Sequence, residues 1–173
     1  QVVTVAVNGT NDLPVITNTV SALSGSVKED TTLTATGQLS ASDVDNGATQ
    51  TWSVVNSSGT YGSLAVSSTG LWTYTLVNTS AAVQALAQGE VHNETFTVNV
   101  TDDKGASVSQ LVTVTVAGTN DLPVISGTSV VSGVVKEDTT LTASGQLTAN
   151  DVDHGATQTW SVIAQLTRTA RLR

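Results

Sequence analysis

The sequence repeats itself, and the repeat constrains everything else. Gly9-Thr10-Asn11-Asp12-Leu13-Pro14-Val15-Ile16 recurs unchanged from Gly118 to Ile125, 109 residues on, and Val27-Lys28-Glu29-Asp30 recurs as Val135-Lys136-Glu137-Asp138, 108 residues on. Residues 31–54 match 139–162 with few changes, and residues 1–7 match 110–116. A period of this length is domain-sized rather than solenoid-sized, so each repeat is expected to fold around its own core. The reading is a last strand of a preceding repeat (1–8), one complete repeat (9–117), a truncated first part of the next (118–163) and a non-homologous tail (164–173). The match ends after Ile163, and all three arginines, Arg168, Arg171 and Arg173, fall in that tail, which reads as foreign to the fold. No methionine opens the chain, which predicts a fragment or a processed piece. Residues 118–163 carry only the first strands of a sandwich and are expected to pack loosely or to pair with another chain.

Within one repeat the apolar residues alternate with polar ones. Phe96, Val98 and Val100 alternate with threonine and asparagine, as do Trp72, Tyr74 and Leu76, and Val112, Val114 and Val116. A period of two marks half-buried strands. Thr and Val number 30 and 27 of 173 residues, and both are β-branched and favour strands. Turn signals at Asn46-Gly47, Ser58-Gly59, Thr69-Gly70 and Asp103-Lys104-Gly105 separate the runs. Seven strands follow: A (15–27), B (32–41), C (49–56), D (62–68), E (70–77), F (94–101) and G (106–117). About seven short strands in about 108 residues predict an all-β sandwich of immunoglobulin- or cadherin-like type. One short helix is expected between E and F, because residues 80–89 run from a Ser cap through helix formers to a glycine.

Charge removes several functions. Six Lys plus Arg stand against 14 Asp plus Glu, a formal net charge of −8, so no basic footprint for nucleic acid exists. There is no cysteine for a disulfide framework, no apolar run long enough for a membrane span, and no signal-peptide pattern. Every acid is expected to fall outside the strand cores, in two end clusters. One is an inter-repeat set, Glu29, Asp30, Glu90, Asn120, Asp121, Asp151 and Asp153. The other is the corresponding N-terminal junction, Asn11, Asp12, Asp43, Asp45, Asp102 and Asp103. Carboxylates converging without Lys or Arg repel one another, and a hard cation with about six to eight oxygen ligands relieves this, which points to Ca²⁺. The loop at Asp43-Val44-Asp45-Asn46-Gly47 is not an EF-hand, since Val54 stands where the bidentate Glu belongs.

These motifs carry a resemblance. The Gly-Thr-Asn-Asp-Leu-Pro-Val-Ile opening, Val27-Lys28-Glu29-Asp30, Ser42-Asp43-Val44-Asp45-Asn46-Gly47 and Trp52-Ser53-Val54 together resemble the VCBS repeat of large bacterial surface proteins. Gly59-Thr60-Tyr61-Gly62-Ser63-Leu64, Gly70-Leu71-Trp72-Thr73-Tyr74-Thr75-Leu76, Ala82-Val83-Gln84-Ala85-Leu86 and Thr101-Asp102-Asp103-Lys104-Gly105 are similar to its later segments, so the resemblance covers residues 1–163. It implies cadherin-like sandwiches in tandem in long extracellular proteins, many of them RTX-type adhesins or biofilm proteins and others accessory repeats of polysaccharide-acting enzymes. Asn120-Asp121 and Asp151-Val152-Asp153 resemble the linker and Asp-x-Asp ligands of cadherins, while Gly118 stands where a fuller cadherin linker has another Asp, which leaves the number of ions per junction open.

The expected function is a calcium-stiffened structural spacer repeat of a secreted adhesin or biofilm protein at the bacterial cell surface. Its expected partners are the neighbouring repeats, together with surface or matrix glycans or proteins. The alternative is a carbohydrate- or protein-binding accessory module using Trp52, Trp72 and Tyr74, whose phase with apolar neighbours assigns them instead to the core. An enzyme is not expected, because His92 and His154 have no sequence context for catalysis.

Overall fold

The structure, a computed structural model, describes residues 1–163. Its contacts divide the chain into two units, residues 1–120 and residues from 121 onward.

The first unit is built from β1 (Val15–Ile16), a 3-10 turn (Val20–Leu23), β2 (Ser24–Lys28), β3 (Thr34–Gln38), β4 (Ala41–Ser42), β5 (Gln50–Val54), β6 (Gly62–Val66), β7 (Leu71–Leu76), α1 (Ala81–Gln84), β8 (Val91–Asp102) and β9 (Ser107–Ala117). A four-stranded sheet runs β2-β9-β8-β5 and a three-stranded sheet runs β3-β7-β6, with β1 and β4 paired separately. The alternation read from the sequence decides which faces meet. Phe96, Val98 and Val100 of β8 and Val112, Val114 and Val116 of β9 turn inward against Trp72, Tyr74 and Leu76 of β7. Each such side chain, fully buried, contributes about 1.5–3 kcal/mol. The outward residues are mostly hydroxyl-bearing: Thr95 faces Thr113, and Thr115 donates to Asn93 Oδ1 across the β8–β9 pair at 2.9 Å. Cross-strand Thr and Asn pairs stabilise the exposed face without charge, which accounts for a chain only 12% charged.

Three expectations are changed by packing, and the expected short helix is present at Ala81–Gln84. Strand A is not continuous from 15 to 27: β1 pairs antiparallel with β4, and after the 3-10 turn β2 pairs parallel with β9 in the other sheet. A strand that changes sheets must break its ladder, and the turn at Val20–Leu23 is that break. Strand B ends early for a similar reason, with fully buried Leu39 between β3 and β4. The helix is one turn, capped by Ser80 Oγ accepting from Val83 N–H, and the chain then bends so that Leu86 joins Val83 in the core. Finally, Glu94 is not outside a strand core. It lies on the inward face of β8, 8% exposed, in phase with Phe96.

The chain leaves this unit close over the end of α1. A Cβ at Gly118 would meet the carbonyl oxygens of Leu86 and Ala87, so this crossing accepts only glycine. Gly118→Ala is expected to lower the melting temperature of the first unit by several degrees in calorimetry, because backbone rather than a flexible side chain must yield, at a cost of about 1–3 kcal/mol.

In the second unit β10 (Val124–Ile125) pairs antiparallel with β11 (Ala149–Asn150), as β1 does with β4. The isolated bridge Lys136–Thr140 repeats Lys28–Thr32, and Asp138 repeats the left-handed backbone of Asp30. Trp160 is 50% exposed where its counterpart Trp52 is 8% exposed. None of the buried hydrophobic core residues, among those described, comes from this unit. Residues 1–8 take no regular structure, and Val2, Val3, Val5 and Val7 are exposed. The arginine-bearing tail lies outside the described residues. No described helix is long and apolar enough to cross a membrane.

Candidate metal centre

One end of the first unit gathers the N-terminal set of acids. The β8–β9 turn presents Asp102, whose Oδ1 accepts the N–H groups of Lys104 and Ala106 at 2.8 Å each, closing the turn on itself. Its Oδ2 accepts from Asn11 Nδ2 at 2.8 Å, which ties the entering chain to the turn. The next residue of that chain, Asp12, donates its N–H to Asp45 Oδ2 at 2.8 Å, and Asp45 N–H donates to Asp43 Oδ1 at 2.9 Å. Asp45 begins a reverse turn, with Ala48 N–H returning to its carbonyl and Gly47 at a positive φ of 79° that favours glycine. These hydrogen bonds use one oxygen of Asp43. The other, Oδ2, is buried and has no hydrogen-bond partner.

The second unit rebuilds the same loop. Asp121 N–H donates to Asp153 Oδ2 at 3.0 Å, Asp153 N–H donates to Asp151 Oδ1 at 3.1 Å, and Ala156 N–H returns to the Asp153 carbonyl. Gly155 has a φ of 71°. Carboxylate oxygens of Asp121 and Asp153 lie within 4.8 Å of each other. Asp153 is 8% exposed, and its Oδ1 is buried without a hydrogen-bond partner.

A buried carboxylate oxygen with no donor is costly, and each loop holds one, on Asp43 in the first and on Asp153, the counterpart of Asp45, in the second, which points to something that satisfies them. The donor set is carboxylate, amide and backbone oxygen with no thiolate. That fits Ca²⁺, which takes oxygen ligands in flexible geometry, better than Zn²⁺.

The other predicted residues are placed as follows. Glu29, fully buried, accepts the N–H and hydroxyl of Thr119 on Oε1 at 3.0 and 3.1 Å, and so holds the start of the linker. Asp30 turns to Asn78, exchanging two hydrogen bonds with it at 2.8 and 2.9 Å. Glu90 hydrogen-bonds His92 Nε2 at 2.7 Å and accepts from Ala87 N–H. Asp103 is a correction to the picture of acids without a basic partner. It pairs with Lys104 at 2.5 Å, and both line a cleft of about 450 Å³ beside Asn11 and Asp45. The sequence shows Asp103-Lys104 as neighbours, but neighbours on a turn need not pair.

Electrostatics follow from these contacts. The Asn11 amide, with the backbone N–H groups of Ala106, Lys104 and Gly105, holds the Asp102 carboxyl below its usual range. The Lys104 ammonium does the same for Asp103, and Asp103 raises Lys104 in return. A lowered folded-state pKa means that the Asp102 contribution is complete above the ordinary carboxylate range. It is lost only as pH falls through the depressed value. Asn11→Ala is expected to move the Asp102 titration upward, read from its carboxyl carbon by NMR.

A sequence model of the bacterial cadherin-like domain matches residues 11–118. The chain belongs to that family. Among solved structures, this cadherin-like chain is similar to PcdhgB3 EC1-4 in 50 mM HEPES, with a TM-score of 0.50 and 20% identity over 83% of this chain and 33% of that one. The likeness is one of fold, and the chain spans about a third of the length of that relative. No curated protein matches the sequence. A cadherin-like repeat is a structural and adhesive module, and the acidic loops described above lie at the end where its chain enters.

Glu94 was missed as a functional element of this cadherin-like fold. Its Oε1 accepts from Thr60 N–H and, at 2.9 Å, from Tyr61 N–H, while its Oε2 accepts from Tyr74 Oη at 2.5 Å. The signal was present, since Glu94 is two residues before Phe96 on an alternating strand.

Proposed function

We propose that the chain is a non-catalytic, calcium-stiffened spacer repeat of a secreted bacterial surface adhesin or biofilm protein, of the VCBS type. The observation that carries this reading is the hydrogen-bonded loop built twice, Asp12–Asp45–Asp43 and Asp121–Asp153–Asp151, with a buried carboxylate oxygen lacking a hydrogen-bond donor on Asp43 in the first and on Asp153, the counterpart of Asp45, in the second. Asn11, Asp12, Asp43, Asp45, Asp102 and Asp103 would hold the ion at one junction. The repeat in the sequence assigns Glu29, Asp30, Glu90, Asn120, Asp121, Asp151 and Asp153 to the next. When bound, the cation supplies charge neutralisation, and the carboxylates supply its ligands while their backbone hydrogen bonds fix the loops.

Sites of this extracellular type have dissociation constants of about 10⁻⁴–10⁻³ M, so they fill outside the cell and empty inside it. Such a chain is compliant during export and stiff afterwards. The partners are neighbouring repeats, with surface glycans or proteins held elsewhere along the parent chain. The non-catalytic reading is supported by His92, which is engaged by Glu90 and packed at a tilt against Tyr61 at a ring separation of 5.2 Å. The glycan-stacking alternative loses its named aromatics, since Trp52, Trp72 and Tyr74 belong to the core.

Calcium titration by calorimetry tests the proposal. At about ten times the dissociation constant, calcium is expected to stabilise the folded chain by about 1.4 kcal/mol, and EDTA to remove that gain. Asp43→Asn with Asp45→Asn should abolish the heat from the N-terminal site. An unchanged melting temperature in calcium and EDTA, with no binding heat, would sink the idea.

A further inference from the structure

Only two asparagines of the chain, Asn8 and Asn46, stand directly before a glycine. That order matters chemically. The backbone nitrogen of the following residue attacks the asparagine side-chain carbonyl in an intramolecular step, and a residue without a Cβ leaves that nitrogen uncrowded.

The fold leaves the pair at 46–47 unrestrained. Asn46 and Gly47 are both exposed. They are the central residues of the turn from Asp45 to Ala48, which one backbone hydrogen bond closes at 3.2 Å. Gly47 has a φ of 79°, as the second central residue of a type II turn does. A Cβ built on it would meet nothing within 4 Å. Among the described residues, no hydrogen bond holds the Asn46 side chain or the Gly47 N–H. The anchors of the loop lie just before them, where Asp45 N–H donates to Asp43 and Asp12 N–H donates to Asp45. Opening a single hydrogen bond therefore frees the 46–47 peptide to rotate toward the side chain. Other asparagines are held. Asn11, Asn18 and Asn78 each commit Nδ2 to an acceptor, and none precedes a glycine.

We propose that Asn46 is a self-modification site, where the side-chain amide is converted to a carboxylate without an enzyme. Gly47 N gives its proton to solvent base and bonds to Asn46 Cγ. The Cγ–Nδ2 bond breaks, and Nδ2 leaves as ammonia. The product is a five-membered cyclic imide. Water then adds to one of its two carbonyls. Breaking the bond from Gly47 N to Cγ gives aspartate. Breaking the bond from Gly47 N to the Asn46 backbone carbonyl carbon gives isoaspartate, with the main chain running through Cβ and Cγ. Either product carries a carboxylate that the turn lacked. It enters the cleft of about 450 Å³ that Asp45, Asp103 and Lys104 also line.

The repeat supplies an unreactive copy. At the same place the second unit has His154-Gly155, with Ala156 N–H returning to the Asp153 carbonyl and Gly155 at a φ of 71°. Histidine has no side-chain carbonyl to attack, so the modification changes one loop and not its repeat. Calcium affinity rises with the charge of the ligand set, so an aspartate at 46 tightens the first site alone, a consequence that rests on the calcium reading.

The test incubates the full chain in mildly alkaline buffer with EDTA and follows each asparagine by peptide mapping with tandem mass spectrometry. Progressive conversion at Asn46 is expected, part of it to isoaspartate that an isoaspartyl methyltransferase labels. EDTA takes the metal out of the experiment, so the result stands or falls apart from the calcium reading. Asn46→His copies the second unit and should abolish the isoaspartate label in the peptide spanning 46–47 while circular dichroism stays unchanged. Asn8-Gly9 lies in a stretch without regular structure and reports, in the same digest, that the conditions suffice. Conversion at Asn8 with Asn46 intact would overturn the proposal. So would conversion at Asn46 no faster than at Asn78, whose amide Asp30 holds.

Discussion

Glu94→Ala is expected to cost the first unit about 3–5 kcal/mol and to lower its melting temperature by roughly 15–30 °C. The carboxylate is the single acceptor shared by Thr60 N–H, Tyr61 N–H and Tyr74 Oη. Removing it strands three donors at the edge of the core, and a buried unpaired donor costs about 1–3 kcal/mol. The loop before β6 loses its anchor at the same time, because Gly59 rests directly on this carboxylate. Glu94→Gln keeps an oxygen for the two backbone donors and lets the tyrosine hydroxyl turn to accept, so about 1–2 kcal/mol is expected. Tyr74→Phe, read with Glu94→Gln in a double-mutant cycle, isolates the side-chain pair. Burial, followed by the hydrogen bond to Glu94, pushes the Tyr74 hydroxyl well above its ordinary pKa. The neutral phenol is therefore the form the fold stabilises. That stability is complete below about pH 10, the ordinary value, and is lost as pH rises toward the folded-state value. Ultraviolet titration should show Tyr74 silent until the domain unfolds. A loss below about 1 kcal/mol for Glu94→Ala in urea unfolding would contradict the three-donor account.

Trp72→Ala is expected to cost a similar amount, about 3–5 kcal/mol, by a different route. The indole fills the space over Gly25 and Gly37, and neither glycine can grow a side chain to close the void. The Ala22 carbonyl also loses its donor. Trp72→Phe should recover part of the packing and none of the hydrogen bond. Gly37→Ala tests this packing from the other side, since overpacking costs about 1–3 kcal/mol. Equilibrium unfolding followed by circular dichroism, rather than by tryptophan fluorescence, measures all three variants on one scale. Near-neutral Gly37→Ala would show that the indole is free to shift.

How much of this was legible in the sequence depends on the distance over which each residue acts. The alternation in β7, β8 and β9 is local, so the inward faces and the sandwich class could be read directly, and the family match over residues 11–118 agrees with them. The pairing of Asp43 with Asp45 acts across two residues and was visible as a spacing. The hydrogen bonds from Asn11 to Asp102 and from Asp12 to Asp45 span 91 and 33 residues. Their grouping could be argued only after the strands had been laid antiparallel. Lys104 was not in that group as read from the sequence. Its charge was counted, but its turn placed it on Asp103 beside the acids.

Sequence alone determined that this is an all-β chain with a period of 108–109 residues, because repetition and alternation need no third dimension. It also placed the acids at strand ends, with Glu94 the exception that its own phase had marked. Tertiary structure alone decided the parallel pairing of β2 with β9, which breaks the first strand in two. It decided that Glu94 is a buried acceptor rather than a surface charge, because the donors come from a loop 33 and 34 residues away and a tyrosine 20 residues away. It also gave Gly25 and Gly37 their purpose. A glycine in a strand reads as a weakness until the ring that lies against it is seen, and that ring arrives from β7, in the strand paired with β3.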